Sequence, residues 1–269
     1  MKIILVRGFT LIELLIVIAV VGVLGTGVLV AIDPAGKINS ANIAKAETFS
    51  AGIQNSLGFD LVGEWTFDDN TFKDTSGYGN NGMGINVTSA LDRRDRNKAS
   101  NFNGTAFINA GNGASLNLTN AGTIEVWIKI SSYSAGTYPA IVSKGASAGW
   151  DTPGYAITVF TTTAIEGSID NGVPYNSVSF GKPTIGVWHH LVFTWSGSFL
   201  RAFVDGSQYG GTVTQTINAG TTSDSLWIGN RYSYFYGVID DVRVYKSALL
   251  SSQIKQLYAQ GLIRHLLIL

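Results

Sequence analysis

The sequence predicts an α+β chain, with a long N-terminal membrane α-helix followed by an antiparallel β-sandwich. Three observations carry this. Residues Phe9 to Ile32 form one apolar run, broken only by Thr10, Glu13, Thr26 and several glycines. From about Leu61 onward, several segments place apolar residues at every second position, the period of a half-buried strand. The chain holds 32 glycines and only 13% charged residues, against about 25% in an average soluble protein. That is the profile of a many-stranded protein with tight turns.

The 269 residues suit one large β domain with a short attached element, and they bury a real core without staples. The formal net charge is zero, which argues against nucleic acid, a partner that needs a basic footprint. The run Asp92-Arg93-Arg94-Asp95-Arg96 is mixed in sign and reads as a solvated loop. The chain has no cysteine, so a thiol nucleophile, a disulfide framework and a zinc-thiolate site are all excluded.

At about 1.5 Å per residue, Phe9 to Ile32 is long enough to cross a hydrocarbon core of about 30 Å. Lys2 and Arg7 precede it and keep the start cytoplasmic. A secretory signal peptide fits poorly, because the run exceeds the usual apolar length and no small-x-small site follows it. A plain anchor leaves Glu13 unexplained, since a lone carboxylate in lipid is costly.

The segment Gly8-Phe9-Thr10-Leu11-Ile12-Glu13 closely resembles the processing motif of type IV prepilins, and the resemblance extends over Met1 to Leu57. It implies that residues 1–8 are a leader and that a prepilin peptidase cuts between Gly8 and Phe9. Phe9 would become an N-methylated terminus, and Glu13, fifth after the cut, would pair with the terminal amine of a neighbouring pilin or pseudopilin subunit. Two buried charges satisfy each other only when subunits are in register. Residues 9–57 would form the membrane and filament helix, with 9–32 in the bilayer. Pro34 should kink it, while Gly22, Gly25 and Gly27 allow close helix packing. Beyond Pro34, Ile38, Ala41, Phe49, Ile53 and Leu57 leave a loose apolar stripe, with Lys37, Lys45 and Glu47 off it. The stripe packs either on the chain's own β domain or within a filament.

In the β region, Ile124, Val126, Ile128 and Ile130 face one way and Glu125, Trp127 and Lys129 the other. Tyr155 to Phe160, Trp188 to Trp195, Leu200 to Val204 and Val238 to Tyr245 also read as strands, and Asp205-Gly206 as a hairpin turn. Ser252 to Ala259 reads as a short helix stopped by Gly261. Strands separated by Gly, Asn and Ser turns point to a two-sheet sandwich.

Six pieces, in order, resemble the laminin-G-like, concanavalin A-like jelly rolls. They begin at Gly63-Glu64-Trp65-Thr66-Phe67-Asp68-Asp69 and Asp74-Thr75-Ser76-Gly77-Tyr78-Gly79-Asn80-Asn81-Gly82. Thr123 to Lys129, Trp188-His189-His190-Leu191-Val192, Phe203-Val204-Asp205-Gly206 and Gly237 to Tyr245 follow. The resemblance covers about Leu61 to Gly261, setting a domain at 58–262 and a tail at 263–269. The tail's apolar His265 to Leu269 suggests at most an added strand. One departure is Leu250, where the family often places a helix-capping serine; Ser251 is the substitute.

The fold implied is a concanavalin A-like jelly roll, some of which are retaining glycosidases. Those need two carboxylates about 5 Å apart. This chain has five glutamates, and no strand carries acids at alternating positions, so no catalytic residue is expected. Glu125 stands alone, and the family uses the positions of His189 and His190 structurally. A structural Ca2+ takes six to eight oxygens. Asp74, in a glycine-asparagine loop, and Asp240 are the best ligand candidates, with Asp68 and Asp241 behind them; related domains use such a pair of regions to tie their terminal strands. Alternatively, Asp74 makes a turn and Asp240 or Asp241 pairs with Arg243 or caps a loop.

Carbohydrate recognition needs exposed aromatic faces beside polar groups. The run Arg231-Tyr232-Ser233-Tyr234-Phe235-Tyr236 is the densest, and Tyr232, Tyr234 and Tyr236 share a face if extended. Trp150 and Tyr155 lie near Pro153-Gly154, a second loop. The alternative is an edge strand whose aromatics cover the sandwich. The leading expectation is a minor pilin or pseudopilin displaying a carbohydrate- or protein-binding jelly roll, in adhesion or surface recognition. A purely structural pilus or secretion pseudopilus subunit is the alternative. A membrane-tethered polysaccharide-active enzyme comes last, for want of paired acids. Such a chain would lie in the cell membrane before assembly, and on the cell surface or in the periplasm after it. Its partners would be the peptidase, other subunits, the membrane, and a glycan or surface protein.

Overall fold

The computed structural model describes residues 57–133, 138–145, 152–160, 164–172, 176–214, 218–230 and 233–263. Expectations for Gly8, Phe9, Glu13, the 9–32 span, Pro34, the apolar stripe before Leu57, Trp150, Tyr232 and residues 264–269 lie outside them. Among the described residues no helix is long and apolar enough to cross a membrane.

Two antiparallel sheets form the domain. The first contains β3 (Thr88–Leu91), β4 (Asn97–Asn103), β6 (Gly122–Ile130), β11 (Trp188–Ser196), β12 (Phe199–Val204), β13 (Ser207–Thr214) and β15 (Tyr236–Tyr245). Their order is β13-β12-β11-β6-β15-β4-β3, with β1 (Leu61–Trp65) making the eighth strand. The second sheet runs β10-β9-β8-β7-β14-β5-β2. Its members are β2 (Met83–Ile85), β5 (Phe107–Asn109), β7 (Ala140–Lys144), β8 (Gly154–Phe160), β9 (Ala164–Asp170), β10 (Asn176–Ser179) and β14 (Leu226–Ile228).

The expected strands are all present. The alternation in β6 directs Ile124, Val126, Ile128 and Ile130 into the core between the sheets, where Phe102, Ile108, Tyr155, Leu191, Phe193, Trp195 and Ile228 meet them. Asp205 and Gly206 both take positive φ, 51° and 75°, the left-handed pair that a two-residue hairpin between β12 and β13 requires.

On the outer face of the eight-stranded sheet lies the helix α1 (Ser251–Ile263). It buries a separate apolar cluster in which Leu249, Ile254 and Leu257 meet Val192, Phe203, Tyr245 and Leu57. Two expectations shift here. Leu250 keeps the N-cap position, and its N–H donates to Gln253 Oε1 at 2.7 Å, half of a capping box closed from within the first turn. Gly261 does not stop the helix. A Cβ there would come within 2.5 Å of the Trp127 indole nitrogen, so glycine is what lets the last turn lie flat on that ring.

Candidate ligand-binding face

The outer face of the seven-stranded sheet carries an aromatic cluster. In β5, Ile108 points into the core, so Phe107 and Asn109 point out; in β14, Leu226 and Ile228 point in and Trp227 out. Pairing sets Trp227 opposite Asn109 and Ile85 opposite Phe107. The Phe107 ring lies 5.3 Å from Trp227, edge-on, and 6.0 Å from Tyr234, nearly parallel at 29°. Tyr234 is 40% exposed, and Met83 and Ile85 on β2 are also exposed. A shelf of half-exposed rings beside an asparagine offers apolar faces for a sugar ring and a polar group at its margin.

Of the expected aromatics among the described residues, Tyr234 alone joins this shelf. Phe235 turns into the core, edge-on to Phe102. Tyr236 opens β15 opposite Asn103, on the other sheet, so Tyr234 and Tyr236 do not share one surface. Tyr155 is a core residue. Its ring lies 4.9 Å from Trp195 and its hydroxyl donates to the Leu116 carbonyl at 2.9 Å, and burial pushes the phenol far up. Phe107 and Trp227 escaped the sequence reading because each sits in a three-residue strand, too short to show a period.

The opposite face of the domain carries buried charge. Glu125 Oε1 lies 3.1 Å from both His190 Nε2 and Arg243 Nη1, and Oε2 accepts the Tyr245 hydroxyl at 3.0 Å. Burial pushes the carboxyl up, but the charge of Arg243 and the His190 hydrogen bond outweigh it and hold the group below its ordinary value. Glu125 with His190 has the composition of an acid–base pair. Both side chains are 0% exposed, and Tyr258 of α1 stacks over His190 and Trp127. His189 donates from Nδ1 to Asp205 at 2.9 Å while its Nε2 accepts the Thr184 N–H, which anchors a turn.

Arg93 corrects the expectation of a solvated loop. Its side chain is 7% exposed and reaches Asp240 at 2.9 Å and Asp241 at 2.5 Å. Its guanidinium lies 4.2 Å from the centre of the Trp127 ring, a cation–π contact. Arg94 donates to the Leu262 carbonyl at 2.6 Å, capping the end of α1.

Residues 102–255 match the concanavalin A-like lectin/glucanases superfamily. The chain belongs to it. Residues 5–29 carry the prokaryotic N-terminal methylation motif, so a prepilin-type N-terminus and a concanavalin A-like domain occur on one chain. No curated protein is similar enough to count as a relative. Among solved structures, the concanavalin A-like domain is similar to domain 4 of AbnA, a GH43 extracellular arabinanase from Geobacillus stearothermophilus, in complex with arabinotriose. The two are 22% identical with a TM-score of 0.60, over 74% of this chain and 98% of that one. It is also similar to the binding domain of Paraclostridial Mosquitocidal Protein 1 (16% identity, TM-score 0.63, 75% of this chain). The botulinum neurotoxin serotype D binding domain is a third (16%, 0.60, 77%). This chain spans about half the length of the two toxin domains, 52% of each. At these identities the likeness is one of fold.

The predicted calcium ligands of this concanavalin A-like domain serve other partners. Asp74 Oδ1 accepts the N–H groups of Glu64 and Ser76, and Oδ2 that of Asn80, at 2.8–3.0 Å, so it shapes the loop that follows β1. Asp240 and Asp241 hold Arg93, and Arg243 stands 3.5 Å from Asp241. Asp68 contributes its carbonyl to Lys98. Among the described residues no group of three or more His, Cys, Asp or Glu is placed to hold a metal. The Arg93 guanidinium supplies a positive charge to Asp240 and Asp241. Glu64 bonds Arg243 at 2.7 Å, so an arginine ties β1 to β15.

Proposed function

We propose that this chain is a pilin-like subunit that displays a glycan-binding domain, acting in adhesion or surface recognition. The observation that carries the reading is the Phe107–Trp227–Tyr234 shelf on a chain whose N-terminus bears the methylation motif. Stacking of sugar rings on exposed aromatic faces gives affinity without charge. The arabinotriose complex of the similar arabinanase domain supports a neutral saccharide as the first class to test.

Full-length protein in detergent should bind on a glycan array with and without added calcium. The Phe107→Ala/Trp227→Ala double variant should lose at least about tenfold in affinity, as expected for truncated aromatic anchors, with its melting temperature reported alongside. An array without any bound glycan ends the glycan reading and leaves a purely structural subunit, and a double variant that binds like the parent ends the assignment of binding to this shelf. N-terminal sequencing of the cellular protein should give Phe9 as its first residue; a start at Met1 ends the prepilin reading.

A further inference from the structure

We propose that the joint between Leu57–Asp60 and the start of α1 packs against a second copy of this chain in the assembly, so that the aromatic shelf points away from it. This rests on the pilin-like reading, not on glycan binding.

The chain enters the domain at this joint. Leu57 is buried among Leu249, Ile254, Leu257, Val192, Phe203 and Tyr245 on the outer face of the eight-stranded sheet. The Asp60 carbonyl accepts the Lys246 N–H at 2.8 Å, and its carboxylate accepts the Ser247 hydroxyl at 2.6 Å. The joint is therefore part of the domain and fixes where the preceding 56 residues leave it. Two large apolar side chains are left in solvent there, Phe59 at 77% and Leu250 at 63% exposed. Each is a chain neighbour of the buried cluster, through Leu57 and Leu249. Large apolar side chains left exposed around the point where the chain enters suit a contact surface.

The occupant follows from what enters there. The same chain carries the methylation motif at residues 5–29, and subunits gathered by such N-termini bring their joints together, each copy presenting Phe59 and Leu250 to the next. The shelf formed by Phe107, Trp227 and Tyr234 lies on the outer face of the other sheet. In a two-layer sandwich the outer faces are opposed, so a domain mounted by one presents the other.

The chain has no cysteine, so single cysteines report cleanly. Phe59→Cys, Leu250→Cys and Tyr234→Cys would be made in the full chain. Each would be treated with a bulky maleimide, both as detergent-dispersed subunit and as sedimented assembly. The proposal expects Phe59→Cys and Leu250→Cys to label when dispersed and to lose labelling when assembled, while Tyr234→Cys labels equally in both. It is overturned if the joint cysteines stay fully reactive in sedimented material, or if Tyr234→Cys becomes protected. Absence of any sedimenting assembly from the parent chain overturns the pilin-like reading itself, and the proposal with it.

Discussion

Arg243 and Glu125 are register partners on β15 and β6, with Nη1 and Oε1 3.1 Å apart. The pair joins residues 118 positions apart in sequence on a face closed by α1. Removing one partner of a buried pair leaves the other charge uncompensated, at a cost of about 3–5 kcal/mol. Arg243→Met should lower stability by that order in denaturant titration. Adding Glu125→Gln should restore part of the loss, because the orphaned charge is gone.

The same pair sets an acid limit. Glu125 is held below its ordinary value of 4.5. As pH falls, the unfolded chain takes up this proton first. The contribution of Glu125 is therefore complete above about pH 4.5 and lost as pH drops through the lowered folded value. Thermal melts taken from neutrality downward should show a shallower acid decline in Glu125→Gln than in the parent, from a lower starting stability.

Tyr155 separates a core role from a ligand role. Tyr155→Phe keeps the ring against Trp195 and removes the bond to the Leu116 carbonyl, which still accepts the Leu118 N–H, costing about 0.5–1.5 kcal/mol. Glycan-array signal should be unchanged at temperatures where the variant is folded. A selective loss of binding would return Tyr155 to the ligand surface.

Calcium should not move the melting temperature. With Arg93 holding Asp240 and Asp241, neither added Ca2+ nor a chelator should stabilise or destabilise the domain, as read by scanning calorimetry. Arg93→Ala should destabilise it markedly, since buried Asp240 and Asp241 both lose this guanidinium and Asp241 keeps Arg243 at 3.5 Å.

The strands were legible where one face is wholly buried for long enough to impose a period. Thr123 to Ile130 and Trp188 to Trp195 show this, and so does the Asp205-Gly206 turn, whose residue types name its backbone. The site was less legible. Phe-Ile-Asn at 107–109 and Leu-Trp-Ile at 226–228 do alternate, but three residues are too few to separate an outward Trp from a core Trp. Tyr155 opens an expected strand but was named as a ligand candidate because it lies near Pro153-Gly154, although Tyr155, Ile157 and Val159 keep the inward period. Arg93 looked solvated because a sequence shows charges next to one another and not the aromatic face of Trp127 they fold onto. Asp240 and Asp241 were singled out as calcium ligands; their partner Arg93, 147 and 148 residues away, was beyond any local signal.

β1 has one partner, and it is β15. The first described strand therefore pairs with the last strand of the sandwich, and the eight-stranded sheet has no complete centre until residues 236–245 are in place. Pairings of such span are slow to form and expose unpaired edges meanwhile. A chain tethered by its N-terminus would hold that unfinished sheet open at the membrane until its final segment emerged. The eight-stranded sheet would thus close only once β15 had joined β1, β4 and β6.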